Sequence, residues 1–225
     1  MNDAPTPDNR REFLALAATS ALGLGAMLPV ANTAVAANPP ATELAADVAR
    51  WFDGLPGKHR QVTDWPEENH GMGLIYTLAF LMSAPAGLGV PPSDVGAMLV
   101  IRHDTIPIAL GDAMWEKYRL GENFRIIDPA TQAPALRNPY YLKPGALPID
   151  AAALKNLIER GVKVVACDLA LTFRSMMIAK EMGLDPASVK KDWVDSLLPG
   201  IKVMPSGVFA CHAAQARGCT YMFAG

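Results

Sequence analysis

The residues able to do thiol chemistry are three cysteines, Cys167, Cys211 and Cys219. Cys167 ends an apolar run over 162–167 and precedes Asp168, the expected N-cap of a helix over 169–182. A thiol at that point sits beside the partial positive charge of a helix N-terminus, which favours the nucleophilic thiolate. Arg174, two turns into the helix, can add to that field or contact an anion, whereas Asp168 opposes it. A buried structural cysteine fits the same position equally well.

Cys211 falls inside the helix expected over 206–217, beyond the first turn, where the helix dipole has faded. The strand before it leads to the same sheet edge as Cys167, so the two can approach. Cys219 precedes the last strand and belongs near the opposite edge. If 211–219 is mostly helical, these two cysteines stand about 12 Å apart, beyond the ~7 Å reach of a disulfide. Cys167 with Cys211 is therefore the expected pair, structural or redox-active, and Cys219 is expected to be structural.

His103 follows the apolar run at 96–101, and His70 opens the helix after the first strand, so both point toward the edge that holds Cys167. Cys211 is itself followed by His212. A Cys/His cluster of this kind suits copper, zinc or haem iron. That gives a metal- or haem-binding alternative with His103 and His70 as candidate ligands. Single histidines near helix caps are more often hydrogen-bonded surface groups. The absence of C-x-x-C-H excludes covalent c-type haem, and no paired C-x-x-C spacing marks a structural zinc site. Met176, Met177 and Met182 read as core filling rather than a thioether site. Glu67-Glu68 reads as solvated surface, and Gly71-Met72-Gly73 is only a fragment of a phosphate loop.

The elements that must position these residues alternate along the chain. Strands are expected at 60–63, 96–101, 162–167, 201–204 and 220–223. Helices are expected at 71–84, 105–118 (capped by Asp104 or Thr105), 150–160 (ended by Gly161), 169–182 (closed by Gly183), 186–197 and 206–217. Residues 85–92 read as a Gly/Pro turn. Continuous apolar runs such as Gly96-Ala97-Met98-Leu99-Val100-Ile101 are typical of strands buried on both faces. The expectation is an α/β domain: a five-stranded, mostly parallel sheet with helices on both faces, in flavodoxin-type layering. In such a sheet ligands bind outside the carboxyl ends of the strands. A Pro-rich insertion at about 119–148 interrupts the pattern and reads as a lid, an oligomerisation arm or a plain surface excursion.

The N-terminus reads as an address. Arg10-Arg11-Glu12-Phe13-Leu14 looks like a twin-arginine export motif, followed by an apolar run to Val30 and by small residues around Ala34-Val35-Ala36-Ala37. Gly23, Gly25 and Pro29 make that run a poor membrane span, so no stable span is expected after cleavage. The expected organisation is a signal over 1–36 and one domain over 37–225 in the periplasm. Cleavage would remove two arginines with Asp3, Asp8 and Glu12, leaving a near-neutral chain. The whole chain already balances 20 basic against 22 acidic residues, which disfavours nucleic-acid binding. Three cysteines are too few for a disulfide scaffold. Twin-arginine export carries folded proteins, often with a cofactor inserted.

The segment Cys167-Asp168-Leu169-Ala170-Leu171-Thr172-Phe173-Arg174 resembles the C-x-x-A-x-x-x-R stretch of DsrE-type sulfur-relay subunits. The tail from Leu198-Pro199-Gly200 through Ser206-Gly207 to Thr220-Tyr221-Met222 is similar to the closing elements of the DsrE/DsrF-like superfamily. The block from Arg102-His103 to Gly121-Glu122 is similar to its exported members. The likeness spans about 71–223. It implies a compact five-stranded α/β subunit assembling as a homo-oligomer, trimer or hexamer, with a protein sulfur donor or acceptor. It also implies a persulfide on Cys167, the one position that matches the family's sulfur-bearing cysteine. On that reading Cys167 attacks a sulfur donor, Arg174 contacts an anion, and Cys211 is a resolving or protective thiol. Export and the Pro-rich insertion depart from the relay pattern. No resident cofactor is otherwise implied, and a non-catalytic oligomer stapled by a Cys167–Cys211 disulfide is a further alternative.

Overall fold

Seven consecutive buried residues, Val95–Ile101, form the middle of the fold, because an all-apolar strand can only sit where both faces are covered. In a computed structural model of the protein, which describes residues 41–225, this strand is β2. It lies with β1 (His59–Trp65), β3 (Lys163–Cys167), β4 (Ile201–Met204) and β5 (Cys219–Phe223) in one sheet ordered β4-β3-β2-β1-β5. Every pairing is parallel, so the expected α/β sheet is present and wholly parallel. The export signal read from residues 1–36 lies outside the described residues.

Helices α1 (Ala41–Asp53), α2 (Met72–Leu88), α3 (Asp112–Lys117), α4 (Leu120–Asn123), α5 (Leu154–Glu159), α6 (Asp168–Met182), α7 (Pro186–Asp195) and α8 (Gly207–Gln215) complete the chain. Strand alternation divides the core in two. Ala97, Leu99 and Ile101 of β2 pack with Leu74 of α2, Leu157 of α5, Leu171 of α6 and Trp193 of α7. Met98 and Val100 face the other way, onto Val48 and Phe52 of α1 and Ala210 and Ala214 of α8. The connections from β1 to β4 therefore run over one face, while α1 and α8 cover the second.

Several boundaries differ from the sequence reading, each for a physical reason. The helix expected to end at 84 continues through Pro85 to Leu88. The proline forfeits one backbone donor, and the turn it weakens is exposed. The single helix expected at 105–118 is split into a 3-10 turn, His103–Ala109, and α3. Pro107 removes a donor there, and Ile106, Ile108 and Leu110 are buried in a tight irregular path. The helix expected at 150–160 is likewise a 3-10 turn, Asp150–Ala152, followed by α5. α1 carries no expectation from the sequence. Cys167, not Asp168, caps α6, and Gly183 closes it in the left-handed conformation.

The Pro-rich stretch is a packed layer of the domain, not a free lid. Leu120, Ile126, Ala135 and Tyr140 belong to the first core. Buried Asn138 donates to the carbonyls of Ile108 and Leu110 at 2.8 and 3.0 Å and accepts from the Tyr140 N–H at 3.0 Å. The Tyr140 hydroxyl bonds Glu68, so that carboxylate is a tether rather than solvated surface. Met177 is exposed and does not fill the core. Gly73 has a packing role: a Cβ there would enter the fully buried Trp65 ring. Gly73→Ala is expected to destabilise the fold by about 1–3 kcal/mol through overpacking, read as a lower midpoint in urea.

Candidate functional site

Parallel strands put their carboxyl ends, and the residues just beyond them, along one rim. The register places Ala166 beside Ile101 and Ile101 beside Trp65, so Cys167 and Arg102 each stand one step past a paired row. Cys167 also pairs with Met204. After β3 the chain turns onto the first face as α6, and after β4 it turns onto the second face as α8. Adjacent strands whose connections diverge in this way open a crevice at their carboxyl ends. Cys167 stands at that divergence.

The Cys167 sulfur accepts the Ala170 N–H at 3.3 Å, the capping contact of α6. An N–H aimed at sulfur is the contact an anionic sulfur uses. Asp168, whose charge would oppose such an anion, is drawn to Lys190 of α7 at 2.9 Å. Arg174 is not open to a ligand as expected: it pairs with Asp104, and its side chain lies over the Phe124 ring at 5.6 Å. Burial pushes its guanidinium below the usual range. His103, in a left-handed backbone conformation, has Nδ1 3.2 Å from an Asp104 carboxylate oxygen and Nε2 3.5 Å from Arg174. Burial first, and then the charges of Arg174 and Arg102, lower its pKa.

A second group fills the rim on the α8 side. Asp64, at the end of β1 and 3% exposed, takes two hydrogen bonds from Arg102, at 2.6 Å from Nε and 2.8 Å from Nη2. The Tyr221 hydroxyl of β5 donates to the same carboxylate at 2.6 Å. Arg102 reaches this place because α8 begins with glycine: a Cβ on Gly207 would stand 2.7 Å from Arg102 Cδ. Ser206 caps α8 through the Phe209 N–H at 3.0 Å. Cys211, on α8, is buried in the second core. Burial, followed by the negative charge of Asp64, pushes its thiol up to about 12. The Arg102 guanidinium works the other way and lowers it.

No family model and no curated protein matches the chain. Among solved structures it is similar to MTH1491, a protein of unknown function from Methanobacterium thermoautotrophicum. The identity is 17%, over 74% of this chain and 99% of that one, with a TM-score of 0.36.

Of the residues expected to act, Cys167 and Cys211 are both buried and unbridged, Cys167 packed with the first core and Cys211 with the second. Cys219 is the first residue of β5, beside Arg60, at the opposite end of the sheet. His70 lies in an exposed left-handed turn before α2, and His212 is exposed on α8. Among the described residues no group of three or more His, Cys, Asp and Glu could hold a metal ion. The donor arrangement therefore gives no support to His103 and His70 as joint ligands. Asp64 carries no expectation from the sequence, Asp104 enters there only as a helix cap, and Arg102 and Tyr221 enter only within a resemblance. Arg102 had one available signal, a charged residue just beyond the carboxyl end of an apolar strand.

Burial and Asp64 also push the Tyr221 hydroxyl up to about 12. Cys211 and Tyr221 thus stay protonated in the folded chain at a pH where the unfolded chain has released both protons. Their contribution to stability is full below about pH 9 and is lost as pH rises toward about 12. Urea midpoints are expected to fall over that window, with a shallower fall in Tyr221→Phe and Cys211→Ser.

Proposed function

We propose that this chain is an exported, DsrE-like sulfur carrier in which Cys167 holds sulfane sulfur as a persulfide. The observation that carries the reading is the placement of the Cys167 sulfur. It caps a helix with an N–H aimed at it, at the point of the sheet where the connections of neighbouring strands diverge. In the loading step the Cys167 thiolate attacks the outer sulfur of a persulfide or polysulfide donor. The new S–S bond forms on Cys167, the donor's own S–S bond breaks, and the donor leaves as a thiolate or a shorter polysulfide. In unloading, an acceptor thiolate attacks the outer sulfur and Cys167 departs as thiolate.

The Ala170 N–H would stabilise the anionic sulfur in both states. Arg174, held by Asp104, acts at a distance as a fixed cation rather than as a direct anion contact. The reading includes a periplasmic location, supported by the twin-arginine-like motif, and a protein donor or acceptor. It also includes a homo-oligomer. Tyr221, Met222 and Phe223 are exposed on the uncharged edge strand β5, the kind of unguarded edge that pairing between copies covers.

The test is intact mass after alkylation without reductant, on protein incubated with inorganic polysulfide. One or more sulfur atoms added at Cys167 and removed by reductant is the expected result. Cys167→Ser is expected to abolish loading at that site while the circular dichroism spectrum is unchanged. Equal loading of Cys167→Ser would remove Cys167 from the mechanism. A native sample isolated with a bound metal or haem would move the function to metal chemistry.

A further inference from the structure

Strands of an all-parallel sheet are ordinarily covered on both faces, and β5 is not. Thr220, Tyr221, Met222 and Phe223 are all exposed, and successive side chains alternate, so both faces of the strand are open. The register says what lies beside each face. Met222 pairs with Thr63, whose hydroxyl meets that of Thr77 of α2 at 3.0 Å, so Met222 is on the first face. Tyr221 and Phe223 pair with Val62 and Asp64 and are on the second. The Tyr221 hydroxyl is tied to Asp64 at 2.6 Å, which holds its exposed ring in place. Among the described residues β5 pairs only with β1, so its outer edge has no neighbouring strand.

The other edge of the sheet is guarded. β4 has four residues, and its Lys202 is bound to Asp47 of α1 at 2.5 Å. Short strands and edge lysines are devices that keep sheet edges from pairing. β5 has neither: its five residues carry no charge and no proline. The helix beside it continues the pattern, for the 17 residues of α2 include no charged side chain. Gly73 and Thr77 of α2 lie over Trp65 and Thr63 of β1. Tyr76 and Phe80 follow each by three positions and share that flank, the one nearer β5. A charged partner would lose its hydration against this surface and find no opposite charge. The fitting occupant is an uncharged strand with an open edge of its own, and β5 of a second copy is such a strand.

We propose that two copies of this chain pair through β5, antiparallel about a two-fold axis, into one continuous ten-stranded sheet. The axis brings both first faces to the same side, so the two α2 helices flank the junction. Joining the open edges leaves a guarded β4 at each end, and the assembly closes at two. The inference rests on the homo-oligomer reading above and names its interface, a dimer in place of the trimer or hexamer that the resemblance implies. It also bears on the site. Antiparallel pairing turns the two carboxyl rims to opposite ends of the sheet. The order β3-β2-β1-β5-β5-β1-β2-β3 separates the two strands that end at Cys167 by seven spacings, roughly 34 Å. Sulfur therefore does not pass between the copies, and each site is served by its own outside donor and acceptor.

Sedimentation equilibrium of the purified chain is expected to give twice the chain mass, and any other mass overturns the proposal. Met222→Lys changes an exposed side chain that takes no part in the Asp64–Arg102–Tyr221 group. Across an antiparallel pair, diagonal side chains on one face come within reach, so the two lysines would repel. The dimer dissociation constant should rise at least a hundredfold with the circular dichroism spectrum unchanged. Met222→Glu should do the same, and an equimolar mixture of the two variants should restore the dimer. A dimer undiminished in either variant alone, or no recovery in the mixture, overturns the pairing. Should the variants fail to fold, hydrogen exchange of the unmodified chain decides. The β5 amides that face away from β1 should be protected at least a hundredfold relative to an unstructured peptide, and less protection overturns the pairing. Polysulfide loading of Cys167 is read separately. Loading of a monomer overturns the dimer alone, and an intact dimer that does not load overturns the carrier reading alone.

Discussion

The rim of the sheet depends on one buried ion pair. Asp64 is a carboxylate at the end of a strand whose neighbours are apolar, and its side chain is almost wholly removed from water. Burying such a charge costs several kcal/mol unless it is paired and its lone pairs are filled. Arg102 supplies the opposite charge through a bidentate contact, and Tyr221 fills a further acceptor position. Those three residues lie on or just beyond β1, β2 and β5, so the same contacts that neutralise the carboxylate tie three parallel strand ends together. Arg102 must lie flat under α8 to do so, and that requires the Gly207 backbone.

The remaining residues of the rim are arranged around that constraint. Arg102 is committed to Asp64 and Arg174 to Asp104, so neither cation is an open anion site. The two thiols are unequal. Cys167 has a backbone N–H directed at its sulfur, whereas burial and the negative charge of Asp64 push the Cys211 thiol up.

The first face carries a different burden. Between β2 and β3 the chain must cover a wide apolar surface with little regular structure, and Asn138 does the work that helix or strand hydrogen bonds would otherwise do. It satisfies two buried carbonyls in the 3-10 turn region and turns the chain toward Tyr140. A polar side chain in such a place is stable because its partners are met. The stretch thereby becomes part of the core, with Tyr140 reaching Glu68 across the helix-opening turn.

The parallel α/β class was legible from residues alone, because buried parallel strands are continuous apolar runs and the helices between them end at glycines such as Gly183. The location of Cys167 at a strand end, and of Cys219 at the far edge, followed from the same alternation. The 3-10 path of 103–109 and the packing of the Pro-rich stretch were not legible, since both depend on tertiary burial overriding local propensity and on one asparagine meeting distant carbonyls. Asp64 with Tyr221 was hidden for a similar reason. They are 157 positions apart and meet only because β5 crosses back beside β1. Periodicity along the chain determined which residues reach the rim. Only the order of the strands decided which of them touch, because strand order is set by where whole faces can be buried, not by any local run of sequence.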